Sequence, residues 1–144
     1  MAGPTESLRR LLVRDHARLA ALFAKLLDAF REGDARDVRA MWARFESGLL
    51  AHFRAEEREL LPAFAEVNPV EASELLAEHA VFRRLVAELG VGVDLHVVSL
   101  NVARGFVQAL RAHVRREDRL FYRWAERHIE ERVRESETRS DASA

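Results

Sequence analysis

The chain has 144 residues, a formal net charge of −1, and no cysteine. That length suits one domain with its own core. The missing cysteines exclude disulfides, cysteine-type zinc sites, iron–sulfur clusters and thiol catalysis. The near-neutral charge gives no sign of a polyanionic partner, so no nucleic acid is expected. No apolar run approaches the ~18 residues of a membrane span, so no membrane partner is expected either. The N-terminus lacks the charged-then-apolar pattern of a secretion signal, which makes the cytoplasm the expected compartment.

Hydrophobic residues make up 49% and charged residues 33%, with only six glycines and three prolines, a balance that favours helices. Thr5 is expected to cap a first helix ending near Arg31, with Gly33 as its stop. Its inner stripe reads Leu12, His16, Leu19, Phe23, Leu26, Phe30, in steps of three and four. Asp34 should cap a second helix with the stripe Val38, Trp42, Phe45, Leu49, His52, Glu56, Leu60, and Pro62 should bend or end it. Asn68-Pro69 is a turn signal that opens a third helix, striped Ala72, Leu76, His79, Phe82, Val86, Leu89. Gly90 and Gly92 are expected to break the chain. Asp94 should then cap a fourth helix, striped Leu100, Ala103, Phe106, Leu110, His113, Glu117, Leu120, Trp124, which continues to about Arg134 with room for a kink. The expected fold is all-α, an antiparallel up-down-up-down four-helix bundle over residues 5–134 whose fourth helix is extended at its C-terminal end. The small polar residues 135–144 read as a disordered tail.

Each stripe is interrupted by a histidine, and two carry a glutamate four residues later. Buried carboxylates are rare unless paired or bound to a metal. Asp15-His16-Ala17 resembles Glu78-His79-Ala80, and His52 with Glu56 resembles His113 with Glu117. His16 and His52 are 36 residues apart, His79 and His113 34. The chain therefore reads as two helical hairpins with one pattern, each supplying two histidines and one carboxylate at one level. Residues four apart lie about 40° apart around a helix and roughly 6 Å along it. An imidazole and a glutamate so spaced can both point inward, the imidazole to one metal and the longer carboxylate to a bridge between two. Oxygen and imidazole donors suit iron, or else manganese, whereas zinc prefers a compact four-ligand site. A metal-free reading stands beside this one: a hydrogen-bonded network, costly unless every member is satisfied.

With these residues assembled, the sequence resembles the hemerythrin-like (HHE cation-binding) family over about residues 8–125. That family's pattern is a histidine on helix one, His-x-x-x-Glu on helix two, a histidine on helix three, and His-x-x-x-Glu or His-x-x-x-x-Asp on helix four. The matching positions are His16, His52 with Glu56, His79, and His113 with Glu117 or Asp118. The resemblance implies two iron ions bridged by an oxo or hydroxo group, one held by His16 and His52 and the other by His79 and His113. Glu117 is preferred to Asp118 as the helix-four carboxylate because it lies on the apolar stripe. In one respect the chain departs from the oxygen carriers of the family, which place a second histidine one turn along helix three. Here those positions are Leu75 and Arg83, which leaves one metal more open and sets stable oxygen carriage against redox chemistry, sensing or looser iron binding. The Glu-x-x-His motif of ferritin-like sites does not occur in the sequence.

Three functional classes follow. The favoured one is a non-enzymatic module that binds or senses oxygen or nitric oxide. The others are an enzyme consuming peroxide or nitric oxide, and an iron-storage or buffering protein. No catalytic residue is assigned, and a monomer or homodimer is expected. His96 and His128 lie too far along the fourth helix for the same site. Glu57 and Glu78 read as rim residues able to accept the free N–H of an imidazole ligand. Tyr122, the one tyrosine, could lie below the site or simply pack.

Overall fold

The computed structural model describes residues 4–32 and 35–142. Gly33 and Asp34, the expected stop and cap between the first two helices, lie outside the described residues. The described elements are all helical: α1 (Pro4–Glu32), α2 (Ala35–Glu59), α3 (Leu61–Val67), α4 (Pro69–Asp94), α5 (Leu100–Arg116), a π-helical turn (Glu117–Tyr122) and α6 (Arg123–Ala142). Helix α1 starts at Pro4, so Thr5 falls within its first turn rather than before it.

The four long helices form a closed ring: α1 packs on α2, α2 on α4, α4 on α5, and α5 on α1. Partners on neighbouring helices run in opposite order. Phe23 meets Phe45 while His16 meets His52, and Phe53 meets Phe82 while Glu57 meets His79. The core is divided in two. One apolar cluster contains Leu19, Phe23, Phe45, Leu49, Phe53, Phe82, Phe106 and Leu110. The other contains Leu12, Leu60, Leu61, Phe64, Leu75, Phe121, Tyr122 and Ala125. On every long helix the histidine that interrupts the stripe falls between a residue of the first cluster and a residue of the second. The polar groups thus form one layer with an apolar floor and an apolar roof.

Several local expectations are corrected. The glycines do not break α4, which runs through Gly90 and Gly92 to Asp94. They serve close approach instead: a Cβ on Gly90 would meet the Trp42 indole nitrogen at 3.2 Å, and one on Gly92 would meet Val98 at 2.9 Å. Asp94 therefore ends a helix rather than capping one. The cap of α5 is Ser99, whose Oγ accepts from the Val102 amide at 3.1 Å. Asn68 does cap α4, accepting from the Glu71 amide, with Pro69 in the first turn. Helix α2 ends at Glu59, and Pro62 sits in the first turn of the short α3, where its missing N–H costs nothing. On α4 the buried stripe uses Leu75, and Leu76 is exposed.

The largest departure is in the fourth long helix. Backbone angles remain helical on both sides of the π turn, so α5 and α6 are continuous through it. A π turn holds one more residue than an α turn and shifts everything after it by one place. Leu120, expected inside, is exposed, and Trp124 is only half-buried. Phe121 and Ala125 take the interior positions instead. Beyond Arg134 the chain stays helical to Ala142, where a disordered tail was expected. Residues 134–139 are exposed, and Thr138 donates its hydroxyl back to the Arg134 carbonyl.

Candidate metal centre

The polar layer holds His16 from α1, His52 and Glu56 from α2, His79 from α4, His113 from α5 and Glu117 from the start of the π turn. All but His16 are buried, and Glu56 and His79 are fully so. Inward donor atoms of His16, His52, Glu56 and Glu117 lie within 4.8 Å of one another, and so do those of His79, His113 and Glu117. Glu117 belongs to both groups. Glu56 approaches the second as well, with Oε1 2.9 Å from His52 Nε2 and 4.0 Å from His79 Nε2. Asp118, the alternative to Glu117, lies at the rim: its side chain is 56% exposed and 3.6 Å from His16 Nδ1.

The outward nitrogens follow one rule. His52 Nδ1 faces Asp15 at 3.3 Å, His79 Nδ1 faces Glu57 at 3.2 Å, His113 Nδ1 faces Glu78 at 2.5 Å, and His16 Nδ1 faces Asp118. Each carboxylate stands next in sequence to an interior group of its own helix but serves the imidazole of the next helix around the ring. Glu57 and Glu78 thus take the part expected of them. Asp15 was missed in that part, although an acidic residue beside one interior group of each long helix was visible in the sequence. Arg83 holds Glu57 through two hydrogen bonds, 3.1 and 2.5 Å, and Arg116 holds Glu78 at 2.6 Å together with Glu71 and Glu74.

An imidazole that donates its Nδ1–H to a carboxylate presents a bare lone pair at Nε2. Such lone pairs face inward from His52 and His79, toward two carboxylates that are acceptors when ionised. His113 Nε2 is 2.6 Å from Glu117 Oε1, yet neither atom has a hydrogen-bond partner. His79 Nε2 and both oxygens of Glu56 and of Glu117 are likewise buried without one. A layer of mutually facing acceptors is costly as a hydrogen-bond network and well matched to cations placed among them. Titration behaviour divides the layer. Burial alone would lower His113, but Glu117 and Glu78 outweigh it and raise it. Burial, and then the facing Glu117, pushes Glu56 well above the usual carboxylate range. Burial alone would raise Glu117 too, but interactions with Glu56, His113 and His16 outweigh it and hold Glu117 well below that range. Burial, reinforced by His16, lowers His52 to about 4, and burial lowers His79. These groups keep their lone pairs near neutral pH.

Tyr122 also reaches the layer. Its hydroxyl is 3.1 Å from His16 Nε2 and 3.3 Å from His52 Nε2, and its ring stacks on His16. The sequence could not place it there, because the π turn is what brings it inward. Phe53 stacks on His79 with ring centres 4.1 Å apart. A largely apolar cavity of about 250 Å³ between α1 and α5 leads to His16, His52, His113 and Glu117 past Leu19, Phe23, Leu49 and Leu110. His96 lies in the α4–α5 loop beside Arg39, and His128 stacks on Trp124; neither joins the layer. Leu75 is buried in the second apolar cluster and Arg83 is engaged with Glu57, so neither offers a donor beside His79.

An all-helical protein with a buried layer of imidazole and carboxylate donors and no thiolate is of the helical metal-binding class. A model of the hemerythrin HHE cation-binding domain matches residues 7–125, and the chain belongs to that family. No curated protein and no solved structure matches the chain.

Proposed function

We propose that the chain is an up-down-up-down four-helix bundle that holds two iron ions and binds or senses a small ligand, oxygen or nitric oxide. His16 and His52 are assigned to one metal, His79 and His113 to the other, and Glu56 and Glu117 to both. The observation that carries this reading is the pair of donor groups sharing Glu117, in which His79 Nε2, His113 Nε2 and both oxygens of Glu56 and of Glu117 are buried and unpartnered. The chemistry of the donors favours iron, or manganese in its place, over zinc. Bound iron supplies reversible one-electron chemistry and positions for a small ligand. The chain's own residues orient the imidazoles through the ring of carboxylates and exclude bulk water with the two apolar clusters. The cavity between α1 and α5 favours a small ligand of low polarity over a charged substrate.

The test is anaerobic reconstitution with ferrous iron, measurement of metal per chain, and titration with oxygen and with nitric oxide followed by absorption. Two irons per chain with a saturable, reversible spectral change is the expected result. Reversible iron loss with no ligand response would transfer the protein to iron buffering, and sustained peroxide or nitric oxide consumption would make it an enzyme. Failure to bind iron or manganese would leave a hydrogen-bonded core and remove the proposal. Glu56→Gln should keep the helices folded, as judged by circular dichroism, and lose the paired site; unchanged metal content in that variant would sink the assignment of Glu56.

A further inference from the structure

The metal centre has a side chain that the histidine-and-carboxylate pattern does not contain. In an α-helix a residue five places after Glu117 would lie about 140° around the axis from it. The π turn closes its bonds between residues five apart and returns that residue toward the same face. The residue so returned is Tyr122, buried, with its hydroxyl 3.1 Å from His16 Nε2 and 3.3 Å from His52 Nε2.

The phenolic oxygen faces both imidazole nitrogens at once, and His52, whose Nδ1 meets Asp15 at 3.3 Å, presents its Nε2 lone pair to it. An oxygen about 3 Å from two converging imidazole nitrogens is the arrangement expected of neighbours around one small cation with bonds near 2.1 Å. The aromatic ring adds a fixed approach, since it stacks on His16 at a ring-centre distance of 5.1 Å.

We propose that Tyr122 is a ligand of the metal held by His16 and His52, bound through its phenolate oxygen. The inference rests on the two-metal reading above. On binding, the O–H bond breaks, the oxygen lone pair goes to the metal and the proton leaves to solvent. A cation held among the imidazoles and carboxylates favours the phenolate as an oxygen donor. Tyr122 then fills a position on the His16–His52 metal. An external ligand is directed to the other metal, where Leu75 and Arg83 supply no donor.

Tyr122 is the chain's one tyrosine, so a tyrosinate signature in the loaded protein has a single source. The full chain and its Tyr122→Phe variant are loaded with ferrous iron, oxidised, and compared by iron content, visible absorption and resonance Raman scattering. The expected result is a phenolate-to-ferric charge-transfer band with tyrosinate ring modes in the parent chain. Band and modes should vanish in Tyr122→Phe while helicity and most of the iron remain. Two irons per chain without tyrosinate modes in the parent would overturn this assignment and leave the two-metal reading standing. Absence of bound iron in the parent would overturn both. Should Tyr122→Phe not fold, the parent's Raman spectrum decides alone.

Discussion

The two halves of the centre repeat the same residue types in the same order, but the fold treats them differently. On the His79–His113 side both imidazoles are buried, Phe53 covers His79, and each outward carboxylate is held by an arginine. On the His16–His52 side His16 is partly exposed, Asp15 pairs with the exposed Arg18, and Asp118 stands in solvent. Polar satisfaction runs the other way. Tyr122 offers a partner to the Nε2 atoms of His16 and His52, while those of His79 and His113 have no hydrogen-bond partner. One half is therefore rigid and unsatisfied, the other looser and partly satisfied. A repeat in sequence does not make two equivalent sites when packing and solvent differ around them.

The strongest way to break the comparison is to remove what the halves share. Glu117→Gln should strip both metals, because Glu117 belongs to both donor groups, and metal content after desalting should fall from two per chain to near none. Retention of one full equivalent would show that Glu117 serves one half alone. Next comes the packing of the rigid half. Phe53 is buried, stacks on His79 and meets His113 edge-on, so Phe53→Ala should cost about 3–5 kcal/mol in denaturant unfolding. It should also weaken the His79–His113 metal more than the other. Equal weakening of both metals would mean that the halves are not mechanically separate.

The legibility of the molecule followed the same division. Stripes with a regular step identify their buried residues: Leu12, Leu19, Phe23 and Leu26 on α1, every stripe position from Val38 to Glu56 on α2, and Leu60 just past its end are buried. His16, His52, Glu56, His79, His113 and Glu117 were found because polar residues on apolar stripes violate the period. The π turn could not be found that way, since periodicity assumes a constant turn and the turn changes at Glu117. Leu120 and Trp124 were placed inside for that reason, and Tyr122 was left aside. Gly90 and Gly92 misled through composition alone: glycine signals either a break or a close approach, and only Trp42 and Val98 decide which.

The outward carboxylates sharpen the contrast further. A carboxylate that orients an imidazole ligand is worth about 10–100-fold in metal affinity. Glu78→Gln should sit at the upper end, because Glu78 is 2.5 Å from His113 Nδ1 and is itself fixed by Arg116. Asp15→Asn should sit at the lower end, with a 3.3 Å contact to His52 and an exposed arginine behind it. Competition with a chelator of known affinity measures both, and a larger loss in Asp15→Asn would reverse the ranking of the two halves.

The smallest effect is expected at Asp118, where it also settles an assignment. Asp118 and Glu117 are adjacent, and either spacing from His113 could supply the helix-four carboxylate. The α-helical stripe through His113 carries Glu117 inward, with 1% of its side chain exposed, and leaves Asp118 at the rim with 56% exposed. A solvent-exposed ion pair contributes roughly 0–1 kcal/mol and weakens with salt. Asp118→Asn should therefore keep both metals, lower their affinity by less than about fivefold, and show a smaller difference from the parent chain at high ionic strength. The same chelator competition at two salt concentrations reads all three outcomes. A salt-independent loss of a full metal would place the Asp118 carboxylate in the interior donor set. The π turn would then have to open when metal binds, and the partition of the centre into a rigid and a loose half would hold for the metal-free chain alone.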